Sequence, residues 1–181
     1  MTLEVLNGYG RHDIIKLLKT ESKIRGIELG VASGSFSKEM IKTNRFEYYI
    51  GVDIYYDRGH DINEYREALK KNGLFSNFHL LRMYFSEALE LFEDESFDFI
   101  YVDGYAHTGE EEGKTLYDWY PKLKRGGLFA GDDYSSKWPK VVKHVDKFVN
   151  EKNVKMYLTD TNKIVKGVTY SKSPSWAIIK D

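Results

Sequence analysis

Apolar and polar positions along the chain fall into segments of two kinds. Apolar runs of strand length recur at Ile24 to Val31, Tyr48 to Ile54, Phe78 to Met83, Phe97 to Asp103, Gly127 to Asp132, Val154 to Leu158 and Ser175 to Ile179. Between them, apolar residues repeat every three or four positions, as on one face of a helix. His12 to Lys19 carries Ile14, Ile15, Leu17 and Leu18 in such a stripe, and Met1 to Lys23 supplies no other helix. Ser35 to Thr43 carries Phe36, Met40 and Ile41; Trp138 to Asn150 carries Val141, Val142, Val145, Phe148 and Val149. The remaining helices are Asp61 to Lys71, stopped by Asn72-Gly73, Ser86 to Phe92 with Ser86 as cap, and Gly113 to Leu123. Val165 to Tyr170 fits strand or loop.

This alternation predicts an α/β domain with a mostly parallel sheet and helices on both faces. No repeat, low-complexity tract or linker divides it, so residues 1–181 are expected to form one domain. Ligands in such sheets sit outside the carboxyl ends of the strands. Gly30, Asp53, Asp103 and Asp132 all fall at or near such ends, so four chain segments should meet at one edge.

The first strand runs into Glu28-Leu29-Gly30-Val31-Ala32-Ser33-Gly34, and the second ends in Gly51-Val52-Asp53. A glycine turn lets backbone approach a ligand, and an acid at the next strand's tip can hold a ribose diol. The spacing is neither Gly-x-Gly-x-x-Gly nor the phosphate-binding Gly-x-x-x-x-Gly-Lys-Ser/Thr. It resembles the first two motifs of class I S-adenosylmethionine-dependent methyltransferases. That resemblance implies a Rossmann-like three-layer αβα sandwich, with a mostly parallel seven-stranded sheet and an antiparallel last strand. It also implies S-adenosylmethionine as cofactor: Gly30, Ala32, Ser33 and Gly34 under its methionine and ribose part, Asp53 on the ribose hydroxyls and Glu28 supporting the turn. The adenine would lie near Tyr84, Phe85 and Ser86, with a tyrosine or phenylalanine ring flanking the purine and Ser86 bonding to it. Many relatives have Gly-Asp there, and this chain does not.

Asp103 ends the fourth strand, and Asp132-Asp133 ends the fifth. Neighbouring strands lie about 5 Å apart, so three such carboxylates would repel one another unless a proton or cation intervened. A hard divalent cation such as Mg²⁺ would answer that need. The runs Asp103-Gly104-Tyr105-Ala106-His107, Gly126-Gly127 and Asp132-Asp133-Tyr134 resemble metal-dependent O-methyltransferases, most of all the macrolide-sugar and cephalosporin-hydroxylase-like group. The likeness covers Ile24 to Tyr134 and implies Asp103, Asp132 and Asp133 as metal ligands, Asp103 beside the cofactor as well, and Asp103 or His107 as the base. Many relatives have one residue between the glycine and the histidine where this chain has two, Tyr105 and Ala106.

Composition narrows the partners. The chain has no cysteine, which removes disulfides, thiolate metal sites and a cysteine nucleophile. Net charge is -1, which argues against a nucleic acid or an anionic membrane as partner. No apolar run spans a bilayer and no secretory signal opens the chain, so the cytoplasm is the expected location. A small molecule or a glycan is the expected acceptor, covered by Tyr55 to Asn63, Tyr105 to Gly113, Tyr134 to Trp138 or a second subunit in a homo-oligomer. Two other readings of the same residues are a hydroxylase-like transferase on this scaffold and a non-catalytic nucleoside- or metal-binding module.

Overall fold

Strands buried on both faces have little need of alternation, and those at the centre of this sheet are near-continuous apolar runs. The computed structural model describes residues 2–56, 60–103, 111–160 and 173–181. In chain order the elements are β1 (Thr2–Leu6), a 3₁₀ helix (Arg11–Leu17), β2 (Ile24–Leu29), α1 (Ser35–Lys42), β3 (Phe46–Val52), α2 (Ile62–Asn72), β4 (Phe78–Leu81) and α3 (Phe85–Leu89). Then follow β5 (Phe97–Val102), α4 (Lys114–Trp119), a 3₁₀ turn (Tyr120–Lys122), β6 (Leu123–Gly131), α5 (Pro139–Lys152), β7 (Lys155–Thr159) and β8 (Trp176–Ile179).

The strands form one sheet in the order β1-β7-β8-β6-β5-β2-β3-β4. All neighbours are parallel except β8, which is antiparallel to β6 and to β7. This is the Rossmann-like α/β fold expected, with the antiparallel last strand in place. Among the described residues the sheet has eight strands where seven were expected: β1 adds to the edge, pairing in parallel with β7 from Thr2↔Lys155 to Leu6↔Thr159. Four of its five residues are exposed, Leu3 and Val5 among them, so it carries no burial signal. The apolar stripe after it forms a 3₁₀ helix over seven residues in place of an α-helix. At α3, Tyr84 takes the cap position and the Glu87 side chain accepts from its N–H at 2.9 Å, so Ser86 lies within the first turn. The segment Val165 to Tyr170 lies outside the described residues.

Two cores sandwich the sheet, because successive residues of a strand point to opposite faces. Ile27, Ile100, Val102 and Phe129 pack on one face against Leu116 and Trp119 of α4 and Val141, Val145, Phe148 and Val149 of α5. Phe99, Tyr101, Leu128 and Ala130 pack on the other against Ile14 and Ile15 of the 3₁₀ helix and Phe36 and Met40 of α1. Fully burying one such side chain contributes about 1.5–3 kcal/mol, which is what anchors the short 3₁₀ helix to the sheet. That anchorage fixes the start of the helix, Arg11, over the carboxyl ends of β5 and β6. Among the described residues, no helix is long and apolar enough to cross a membrane.

Candidate active site

The residues that follow five parallel strands stand side by side. Asp132 N–H bonds to Val102 O at 3.2 Å, Asp103 N–H to Leu29 O at 2.7 Å, Gly30 N–H to Val52 O at 2.9 Å and Asp53 N–H to Leu81 O at 3.1 Å. The edge therefore reads Asp132, Asp103, Gly30, Asp53, Arg82, each one strand from the next.

Above β2 the chain turns sharply. Gly30, Ala32 and Gly34 have φ of 97°, 47° and 73°, left-handed values that favour glycine. Asp53 holds this turn: its Oδ2 accepts from Val31 N–H and Ala32 N–H, both at 2.9 Å, and its Oδ1 accepts from Tyr55 N–H at 3.0 Å. A carboxylate offers about four acceptor positions, so one remains, on Oδ1. The Tyr55 hydroxyl donates to Ala32 O at 2.9 Å, which pins the strained alanine from the other side. Lys71 Nζ bonds to Ser33 Oγ at 2.9 Å and Ser35 Oγ at 3.0 Å, setting a cation beside the turn that reasoning from sequence missed.

Gly34 also has no room for a side chain. A Cβ there would lie 2.4 Å from Asn72 Nδ2 and 3.1 Å from the Ala68 Cα of α2. Gly34→Ala is expected to destabilise the fold by about 1–3 kcal/mol through backbone strain alone, read by chemical denaturation. Wild-type stability in that variant would show that the turn accommodates a side chain at Gly34.

Glu28, expected to support the turn, makes a different contact. It is buried, and the Ser37 hydroxyl of α1 donates to its Oε2 at 2.6 Å. Burial pushes its pKa from the usual 4.5 up to about 8, against the opposing effects of Ser37 and Arg11. Of the three residues expected near the adenine, Phe85 is buried in the core, whereas Tyr84 is 44% exposed and Ser86 is exposed. Tyr84 is the ring free to flank a purine.

The acidic end of the edge holds a cation, the guanidinium of Arg11. Arg11 forms a short ion pair through Nη2 with Asp103 Oδ2, and its Nη1 lies 3.1 Å from Asp132 Oδ2. The guanidinium packs against Phe36 and Tyr101, with Cζ 4.6 Å and 5.1 Å from their ring centres. Ser175 donates to Asp132 Oδ1 at 2.9 Å. Its one hydroxyl hydrogen is thereby used, so the Tyr101 hydroxyl, 3.1 Å from Ser175 Oγ, is the donor of that pair. A chain of contacts thus runs Tyr101, Ser175, Asp132, Arg11, Asp103. Burial disfavours the charge on Arg11, but Asp103 first, then Tyr101, Asp132 and Glu28, hold its pKa well above the ordinary value. Asp103 keeps 18% of its side chain exposed and Asp132 only 4%, so Asp103 is the more accessible carboxylate of the two.

The three aspartates expected to gather Mg²⁺ therefore do not fit that ion. A metal needs free carboxylate oxygens, and the Oδ2 atoms of Asp103 and Asp132 both face Arg11. Asp133 is buried and takes a left-handed backbone, φ 58°. Among the described residues no three His, Asp or Glu side chains cluster as metal ligands. His107, the other expected base, lies outside the described residues. Arg11 was invisible to sequence reasoning: its partner Asp103 is 92 positions away. The only signal was the need of crowded acids for some cation. A cleft of about 390 Å³ opens elsewhere, among Leu17, Lys19, Lys23, Ile24, Asp98 and Arg125. Those residues mark the amino ends of β2 and β5, so the cleft is remote from this chemistry.

Known proteins share this fold. The fold is similar to that of the N-methyltransferase NodS from Bradyrhizobium japonicum WM9, at 15% identity and a TM-score of 0.63, over 94% of this chain and 95% of that one. It is also similar to an S-adenosylmethionine-dependent O-methyltransferase from Thermotoga maritima, at 16% identity and a TM-score of 0.65, over 92% of this chain and 63% of that one. A spermidine synthase from Thermotoga maritima, at 15% identity, has a TM-score of 0.63 over 93% of this chain and 58% of that one. At such identities the likeness establishes the fold and not the acceptor. No curated protein matches the chain in sequence. A family model described as a methyltransferase domain matches residues 27–134, more than half of the chain and the part that carries the turn, Asp53, Asp103 and Asp132. The chain belongs to that methyltransferase family.

Proposed function

We propose that this methyltransferase transfers a methyl group from S-adenosylmethionine to a hydroxyl of a small molecule, with sugars as the acceptor class. The observation that supports this reading is the position of Asp103: a partly exposed carboxylate one strand from Gly30, about 5 Å across the sheet. The resemblance of the Asp103, Gly126-Gly127 and Asp132-Asp133-Tyr134 runs to macrolide-sugar O-methyltransferases supports the hydroxyl acceptor. The structure of NodS with S-adenosyl-L-homocysteine supports the cofactor.

Bound S-adenosylmethionine supplies an electrophilic methyl carbon on a sulfonium, so the protein's work is chiefly alignment. The Gly30–Gly34 turn lets backbone approach the ligand. Asp53 takes a ribose hydroxyl on its remaining acceptor position, and Tyr84 flanks the purine. Asp103 accepts the proton of the acceptor hydroxyl. The oxygen bonds to the methyl carbon as the carbon–sulfur bond breaks, its electron pair staying on sulfur. Mg²⁺ has no part in this scheme, because Arg11 occupies the carboxylates that would hold it.

Release of S-adenosylhomocysteine in the presence of sugars, simple alcohols and amines tests the proposal. Turnover is expected with a hydroxyl acceptor, and Asp103→Asn should lower it about 100-fold or more while cofactor affinity stays within a factor of about three. Turnover confined to amines would overturn the hydroxyl reading. Tight nucleoside binding with no turnover on any acceptor would instead favour a non-catalytic module.

A further inference from the structure

The crowding of acids at this edge creates a need for positive charge, and the fold meets it from a distant part of the chain. The segment between β1 and the 3₁₀ helix is tied down at both sides: Gly8 N–H donates to Asp160 Oδ2 at 3.2 Å, and Asp160 N–H donates to Tyr9 O at 2.8 Å. Gly10 N–H donates to Asp13 Oδ2 at 2.9 Å, which closes the first turn of the 3₁₀ helix. Together with β1 pairing on β7, these contacts carry the chain across the carboxyl edge and deliver Arg11 between β5 and β6. A planar fork matches two carboxylates in a way a lysine cannot. Stacking on Phe36 and Tyr101 fixes the plane of that fork.

We propose that Arg11 is a built-in cation standing where a divalent metal would otherwise be needed: it joins Asp103 to Asp132, positions Asp103 toward the acceptor and makes the reaction metal-independent. The last clause rests on the proposed methyl transfer; the rest concerns only the carboxylate pair. Arg11 acts through Asp103 and is a positioning residue.

Mn²⁺ titration followed by electron paramagnetic resonance tests the pair without any turnover. The wild-type protein should bind Mn²⁺ no more tightly than millimolar. Arg11→Gln removes the cation from two adjacent carboxylates and should bind Mn²⁺ at least about tenfold more tightly, since oxygen-rich carboxylate sites suit that ion. Arg11→Lys keeps a charge in place and should remain near wild type. In the methyl-transfer assay, wild-type turnover should be equal in EDTA and in Mg²⁺. Arg11→Gln should lose kcat while cofactor affinity holds, with part of the loss restored by Arg11→Lys or by added guanidinium ion. A purely structural role for Arg11 would give no such rescue and would overturn the positioning role. Micromolar Mn²⁺ binding by the wild type, turnover lost in EDTA and restored by Mg²⁺, or a folded Arg11→Gln with no gain in Mn²⁺ affinity would each overturn the stand-in role. Should Arg11→Gln not fold, the wild-type titration and the EDTA comparison still decide. Failure of the methyl-transfer proposal has a separate mark: loss of nucleoside binding and turnover with the Mn²⁺ results unchanged.

Discussion

Asp53→Ala is expected to lower S-adenosylmethionine affinity by about tenfold to a hundredfold and to lower stability by about 3 kcal/mol, the largest combined effect of any single change at this edge. The reason is that one side chain serves two ends. Its two oxygens accept from Val31, Ala32 and Tyr55 N–H, all at 2.9–3.0 Å. Alanine leaves those donors without a partner, and at Val31 the group is buried, where an unpaired donor costs about 1–3 kcal/mol. Ala32, held at φ 47°, then keeps only the Tyr55 hydroxyl to stop it relaxing. The turn is expected to lose its shape together with the position that receives the ribose. Asp53→Asn retains one oxygen, which can still accept from Val31 and Ala32, and should fall between wild type and alanine. Calorimetry with the cofactor and thermal melts check both halves. Unchanged cofactor affinity in Asp53→Ala, with the loss confined to stability, would restrict Asp53 to bracing the turn.

The second large effect concerns pH. Glu28 titrates near 8 in the folded protein and near 4.5 when exposed, because burial disfavours its carboxylate. The folded state therefore holds the proton more tightly than the unfolded state. Below pH 4.5 both are protonated and this residue costs nothing. As pH rises toward 8 the unfolded chain releases the proton first, and stability falls throughout that window. The full penalty, as much as about 5 kcal/mol from this group alone at 1.36 kcal/mol per unit, is present above pH 8. Glu28→Gln mimics the neutral form, keeps an acceptor for the Ser37 hydroxyl and removes the titration. Its melting temperature should exceed that of wild type at pH 8.5 and converge with it near pH 5. Parallel pH profiles for the two proteins would show that Glu28 is ionised in the fold without penalty.

Much of this arrangement is readable from the chain, for definite physical reasons. Buried strands such as Phe97–Val102 and the buried stripe of α5 announce themselves by period, and strand ends in a parallel sheet converge on one edge whatever the loops do. Gly30 and Gly34 stand out because left-handed backbone favours glycine; Ala32, equally left-handed, gives no such sign. The edge strand β1 was missed because Leu3 and Val5 are exposed, so its apolar residues mark no core. Arg11 was missed because its role is long-range: nothing near Gly10 or His12 hints at Asp103. Like charges on Asp103 and Asp132 called for a cation, and the one they face is Arg11. Glu28 was placed under the turn by resemblance, but its side chain shares a sheet face with Tyr49 and meets α1 instead.

The central expectation is that a nucleoside sits on the Gly30–Gly34 turn beside a carboxylate pair bridged by Arg11. Isothermal titration with S-adenosylmethionine and S-adenosylhomocysteine, each in EDTA and in excess Mg²⁺, bears on it most directly. Saturable binding of both nucleosides at one site, with the same affinity in either buffer, is the expected result. Binding of neither, or binding that appears only when Mg²⁺ is added, would contradict it.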